Sequence, residues 1–156
     1  MNLHQEKLEK IFSESEKHIL RLNSASQKMS SFMPLNKERY EHLSENEIEH
    51  VDQFLYRFAK LQDAMGQKLF KHILLFLDEK VENMPFIDIL NKLEKLELLE
   101  NATIWRELRD DRNDLAHNYE DDPEEASLII NKLFIKKDIL IQIYNKIKNY
   151  YSRYSL

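Results

Sequence analysis

Residues 44–77, SENEIEHVDQFLYRFAKLQDAMGQKLFKHILLFL, decide the fold class of this 156-residue chain. Ser44 stands at an N-cap and Glu47 three residues later, a capping box whose side chains satisfy orphan amides at a helix start. Behind it Ile48, Val51, Phe54, Leu55, Phe58, Leu61, Met65, Leu69, Ile73, Phe76 and Leu77 recur at steps of three and four. That is one apolar stripe on a helix of about 35 residues, roughly 50 Å long. A helix of this length serves as a bundle spine or a dimer seam. Gly66 interrupts it, at about 1 kcal/mol against Ala. Either a neighbouring helix comes close there, or the glycine is tolerated on the surface.

The flanking segments carry the same period. Leu8, Ile11, Phe12, Ile19 and Leu22 predict a first helix over 3–31, weakened by Ser24, Ser26, Ser30 and Ser31 and closed by Pro34. Residues 35–43 are polar and read as a loop or short turn. After the punctuation Asn83-Met84-Pro85, Phe86, Ile87, Leu90, Leu93 and Leu96 make a shorter helix. A fourth starts near Asn101 and carries Ile104, Trp105, Leu108, Leu115 and Ala116. Asp122-Pro123-Glu124-Glu125 then gives an N-cap, a proline at the first helical position and acids in the first turn. The last helix runs on through Ile129, Leu133, Leu140, Tyr144, Ile147 and Tyr151. With no repeat or linker, residues 1–156 read as a single all-α domain, an up-and-down bundle of about five helices.

Composition narrows the function classes. A single Gly rules out a glycine-rich phosphate loop and with it P-loop and Rossmann nucleotide enzymes. No cysteine is present, so disulfides and thiolate metal sites are excluded and a reducing cytoplasm is the expected location. The start of the chain is polar and acidic, unlike a signal peptide, and no apolar run approaches the ~20 residues of a membrane span. His4, His18, His42, His50 and His72 show no metal-ligand spacing, so no metal or cofactor is expected. At a net charge of −5, contact with RNA has to be confined to a local cationic cleft.

The chemistry concentrates at 112–119, Arg-Asn-Asp-Leu-Ala-His-Asn-Tyr. A permanent cation, an imidazole titrating near neutrality and a phenol within two helical turns suffice to cleave a phosphodiester without a metal. Arg112 lies four residues after Leu108 and seven after Trp105, on the apolar stripe of its helix. A guanidinium there needs an anion, a subunit interface or an internal carboxylate, and Glu107, Asp110, Asp111 and Asp114 are near in sequence. His117 falls about 140° around an ideal helix from Arg112. The two meet only if the helix ends and His117 turns back, or if two chains bring their pairs together across a symmetric interface. Asp110/Asp111 and Asp121/Asp122 read as cap and solvation residues. Tyr150, Tyr151 and Tyr154 read as seam packing ahead of base stacking, and Lys132, Lys136, Lys137, Lys146 and Lys148 as a solvated face.

In these residues the chain resembles the HEPN superfamily, in the form carried by HepT-like toxins encoded beside a minimal nucleotidyltransferase. RNDLAHNY matches the R-x4-H-x-Y signature, with Asn after the Arg as is usual there. The layout is similar too: a long second helix with the aromatic-rich segment Gln53-Phe54-Leu55-Tyr56-Arg57-Phe58, the motif late in a following helix, then a long final helix. The chain is longer than the commonest toxins, mainly before Leu43.

The resemblance implies a homodimer whose two motifs line one cleft and cut RNA without a metal. His117 would be the general acid/base, Arg112 would hold the scissile phosphate, and Asn113 would orient. Tyr119 would accept AMP from the partner nucleotidyltransferase, a bulky anion that blocks RNA. The alternative is a non-catalytic substrate-binding or regulatory subunit of that nucleotidyltransferase. A third is a purely structural helical dimer.

Overall fold

The computed structural model describes residues 2–118 and 121–154, apart from the side chains of 116–118. All regular structure among them is helical. Helix α1 (Leu3–Met29) opens on a capping box: Asn2 Oδ1 accepts from Gln5 N (2.9 Å), and Gln5 Oε1 accepts from Asn2 N (3.0 Å). The polar stretch before Leu43 holds a short helix, α2 (Lys37–Glu41), capped by Asn36. The box at Ser44 forms as its spelling requires, with Ser44 Oγ 3.2 Å from Glu47 N and Glu47 Oε1 2.8 Å from Ser44 N.

From that box, α3 (Glu45–Asp63), a π-helical segment (Ala64–Leu69) and α4 (Phe70–Phe76) run as one rod, since Asp63, Ala64, Leu69 and Phe70 all keep right-handed helical backbone angles. The π segment is written in the stripe. Leu61, Met65, Leu69 and Ile73 are all buried at steps of four. At 3.6 residues per turn each such step overshoots by about 40°. The wider i→i+5 turn absorbs the drift and keeps all four on the core side.

Helix α5 (Phe86–Lys95) follows, then α6 (Ala102–Asn118) and α7 (Pro123–Tyr154), whose start is capped by Asp122 Oδ1 accepting from Glu125 N at 3.2 Å. Cross-helix pairs fix the directions. Arg57 meets His18 and Lys68 meets Glu14; Asp63 meets Arg112; Asp111 meets Lys136; Glu9 meets Tyr151, and Glu16 meets Lys148. Residue numbers run in opposite senses along α1 and the rod (18 with 57, 14 with 68), along the rod and α6 (63 with 112, 66 with 105) and along α1 and α7 (9 with 151, 16 with 148), so α1, the rod, α6 and α7 alternate up and down. The five expected helices are all present, four of them long and α5 short, and α2 adds a sixth in the connection after α1.

The core is aromatic at its centre, with Trp105, Tyr144, Phe54, Phe58 and Phe70 fully buried. The Tyr144 hydroxyl donates to Glu16 Oε2 (2.7 Å) and Phe12 O (3.3 Å), and burial with the Glu16 carboxylate beside it raises its pKa strongly. Tyr151 packs on Phe12 and Phe76, so this part of the tail seals the α1–α7 seam. The basic face is largely spoken for: Lys136 pairs with Asp111 and Lys148 with Glu16. Asn131 of α7 bridges the turn after α1, accepting from Leu35 N and donating to Leu35 O, each at 2.8 Å.

Gly66 resolves in favour of close approach. A Cβ there would stand 3.0 Å from Trp105 Cζ2, and Trp105 is 2% exposed and edge-on to Phe70 at 4.6 Å, so it has little room to yield. We expect Gly66→Val to cost about 1–3 kcal/mol in urea unfolding; an unchanged midpoint would show that α6 can move away without loss.

His18 gives a pH test. Its Nδ1 lies 3.0 Å from Arg57 NH1, and burial, followed by the Arg57 charge, lowers its pKa below the ordinary 6.5 despite Glu14, with Lys60 adding to the depression. Above pH 6.5 its contribution to stability is complete. As pH falls, the unfolded chain takes up a proton that the folded chain refuses, and stability drops until the lowered folded value is passed. The stability gap between wild type and His18→Asn should therefore be smaller at pH 5.5 than at pH 7.5 in chemical denaturation.

Candidate functional site

Between the π segment, the start of α5 and the middle of α6 lies a cleft of about 400 Å³. Its lining includes Gln62 and Asp63 from the rod, Phe86 from α5, and Arg109, Arg112 and Asn113 from α6. The geometry follows from the crossing at Gly66 and Trp105. Side chains on a helix lean toward its N-terminus, and the rod and α6 are antiparallel. Asp63 and Arg112 lie on the same side of that crossing and therefore lean toward each other from the two helices.

They meet as a two-pronged ion pair. Arg112 NH1 donates to Asp63 Oδ1 at 2.5 Å and NH2 to Asp63 Oδ2 at 3.3 Å, with the side chains 34% and 33% exposed. The carboxylate that satisfies Arg112 thus comes from the rod rather than from the acids of its own helix; of these, Asp111 is engaged by Lys136 at 2.7 Å. Asp63 orients the guanidinium and leaves further N–H donors to face a phosphate oxygen.

Asn113 is exposed on the cleft beside Arg112. Helix α6 ends at Asn118, one residue past His117, so the helix does end close by, but not before position 117, as a turn back toward Arg112 within one chain would need. The backbone at His117 is helical, which places that position about 140° around the axis from Arg112. The His117 side chain, and Tyr119 altogether, lie outside the described residues. Within one chain, then, the structure groups Arg112 and Asn113 and sets position 117 on another face of α6.

Three contributors escaped the sequence reading. Arg109 precedes Arg112 by three residues, a spacing that shares a helix face and was there to be read; its guanidinium sits 5.6 Å from the centre of the Phe86 ring. Asp63 and Gln62 carried no local signal. Gln62 is 3% exposed, and neither polar atom of its carboxamide meets a hydrogen-bond partner within the described residues. Leaving a buried amide unpaired costs the fold on the order of 1–3 kcal/mol.

Among the described residues no three His, Asp or Glu side chains cluster to hold a metal ion, and no helix is long and apolar enough to cross a membrane. No protein-family model, curated protein or solved structure matches the chain.

Because both partners are a third exposed, the Asp63–Arg112 pair should matter little for stability. Asp63→Ala is expected to lower unfolding free energy by no more than about 1 kcal/mol. A loss of 3 kcal/mol or more would mean that the pair is fully buried in the state that unfolds.

Proposed function

We propose that this chain is a metal-independent endoribonuclease toxin with a HEPN-like fold, working as a cytoplasmic homodimer paired with a minimal nucleotidyltransferase antitoxin. The observation that carries the reading is the setting of Arg112. The motif arginine projects from the apolar stripe of α6 into an open cleft, oriented by a carboxylate from another helix. Cations outnumber carboxylates in that lining, in a chain whose net charge is −5. Two arginines against one aspartate leave the lining one net positive charge, which supports RNA contact at this place in an acidic chain.

The placement of position 117 favours a shared site. With His117 about 140° from Arg112 on a continuous helix, a two-fold axis beside α6 offers a way for one protomer's imidazole to face the other's guanidinium. There His117 takes the proton from the ribose 2′-hydroxyl, which attacks the adjacent phosphorus. The proton is returned to the departing 5′-oxygen, leaving a 2′,3′-cyclic phosphate. Arg112 neutralises the charge that builds on the non-bridging oxygens, and Asn113 orients the phosphate. AMP placed on Tyr119 by the nucleotidyltransferase closes the site with a bulky anion.

A second reading draws on the same ion pair. Arg112 is already neutralised by Asp63 in the single chain, as suits a non-catalytic binding subunit of the nucleotidyltransferase.

Cleavage of RNA in EDTA separates the two. Wild type should yield 2′,3′-cyclic phosphate ends, with Arg112→Ala and His117→Ala each slower by roughly 100-fold or more. A wild type that cuts no RNA gives the lead to the binding subunit, and a His117→Ala variant that cuts equally well overturns the role given to His117.

A further inference from the structure

A hollow of about 180 Å³ lies between the α5–α6 connection, the first turn of α6 and the middle of α7, and shares no lining residue with the Arg112 cleft. Its walls are branched and aliphatic: Leu98, Leu99 and Ile143 are buried, Ile104 and Ile139 half-buried. No aromatic ring among the described residues lines it, so it offers a flat ligand nothing to stack on. Glu100 and Lys146 line both the hollow and the wider polar trough beside it, which places the two charges where the hollow opens. Neither belongs to an ion pair among the described residues, although two other lysines of α7 do: Lys136 pairs with Asp111 and Lys148 with Glu16. At the same rim Asn101 spends its Oδ1 on Thr103 N (2.7 Å), which leaves its amide N–H donors uncommitted. The volume matches roughly six waters at ~30 Å³ each and falls below the ~300–1,000 Å³ of drug-sized sites, so it suits a small molecule.

We propose that this hollow binds a free branched-chain α-amino acid, of the leucine, isoleucine and valine class. The aliphatic side chain enters between Leu99, Ile104, Ile139 and Ile143, where it leaves water for apolar contact. The α-carboxylate meets the Lys146 ammonium and the Asn101 amide, and the α-ammonium meets the Glu100 carboxylate. One cation and one anion at the mouth of an apolar hole complement a zwitterion with an apolar tail. A simple acid or a simple amine of the same shape leaves one of the two charges unanswered.

Calorimetric titration of the full chain with leucine, isoleucine and valine tests the site. Alanine, 4-methylpentanoate and 3-methylbutylamine run beside them, lacking in turn the branched side chain, the ammonium and the carboxylate. At least one of the three amino acids should bind roughly tenfold or more tightly than every one of these analogues. Lys146→Met and Glu100→Gln each alter an exposed side chain outside any ion pair, so the fold should survive both. Each should weaken the amino acid by roughly tenfold or more. Lys146→Met should leave 3-methylbutylamine binding within twofold, and Glu100→Gln should do the same for 4-methylpentanoate, because neither analogue carries the group that the lost side chain holds. No binding of leucine, isoleucine or valine at millimolar concentration overturns the site. Equal binding of 4-methylpentanoate or of alanine overturns the assignment to a branched zwitterion, as does an affinity that survives both substitutions. None of these ligands calls on Arg112 or His117, so RNA cleavage stands or falls separately.

Discussion

Everything polar in the cleft depends on how closely α6 can approach the rod, and that distance is set where Gly66 meets Trp105. With no Cβ at 66, the indole reaches the rod backbone and lodges edge-on to Phe70, burying the largest side chain of the protein at the crossing. Trp105 and Arg112 are seven residues apart on α6, about 10 Å along its axis. The crossing therefore acts as a pivot that brings the guanidinium level with Asp63. A wider separation would leave both charges to water and the cleft without an outer end. Helix approach, a packing matter, thus decides an electrostatic one.

The ion pair repays that arrangement in position more than in stability. A pair one-third exposed contributes little to folding, because water already solvates both partners well. What it supplies is orientation: two parallel hydrogen bonds fix the plane of the guanidinium, which a single contact would leave free to swing. Its neighbour Gln62 does the opposite: buried without a hydrogen-bond partner among the described residues, it costs stability.

Much of the fold was legible because its signals are local. The capping box at Ser44 and the N-cap at Asp122 are recognised from a few adjacent residues, and the apolar stripe reports the long helices through their period. The short helix after Asn36 was hidden because it has no fully buried residue and only Tyr40 packs on the core, so no apolar period marks it. The run of fours from Leu61 to Ile73 did spell the π segment, though only to a reader who asks why a helical stripe refuses to drift. In the site, the position of Arg112 on an apolar face announced that it needed a partner, but the partner's identity was tertiary: Asp63 is 49 residues away. The angular relation of Arg112 and His117 was calculable from their spacing, whereas whether the helix would still include position 117 was not, because it ends one residue later, at Asn118.

The π segment has a consequence of arithmetic. Its wide turn houses a surplus residue, and removing any one position between 64 and 69 would let the rod relax into an unbroken α-helix. The two halves of the rod would nonetheless face nearly as they did before, because the wide turn holds its extra residue without advancing the helix that follows. Asp63 and Phe70 would keep their bearings, and the wall where Gly66 faces Trp105 would be the part redrawn. Here the chain can change by one residue in the middle of a helix and leave both of its ends pointing the same way.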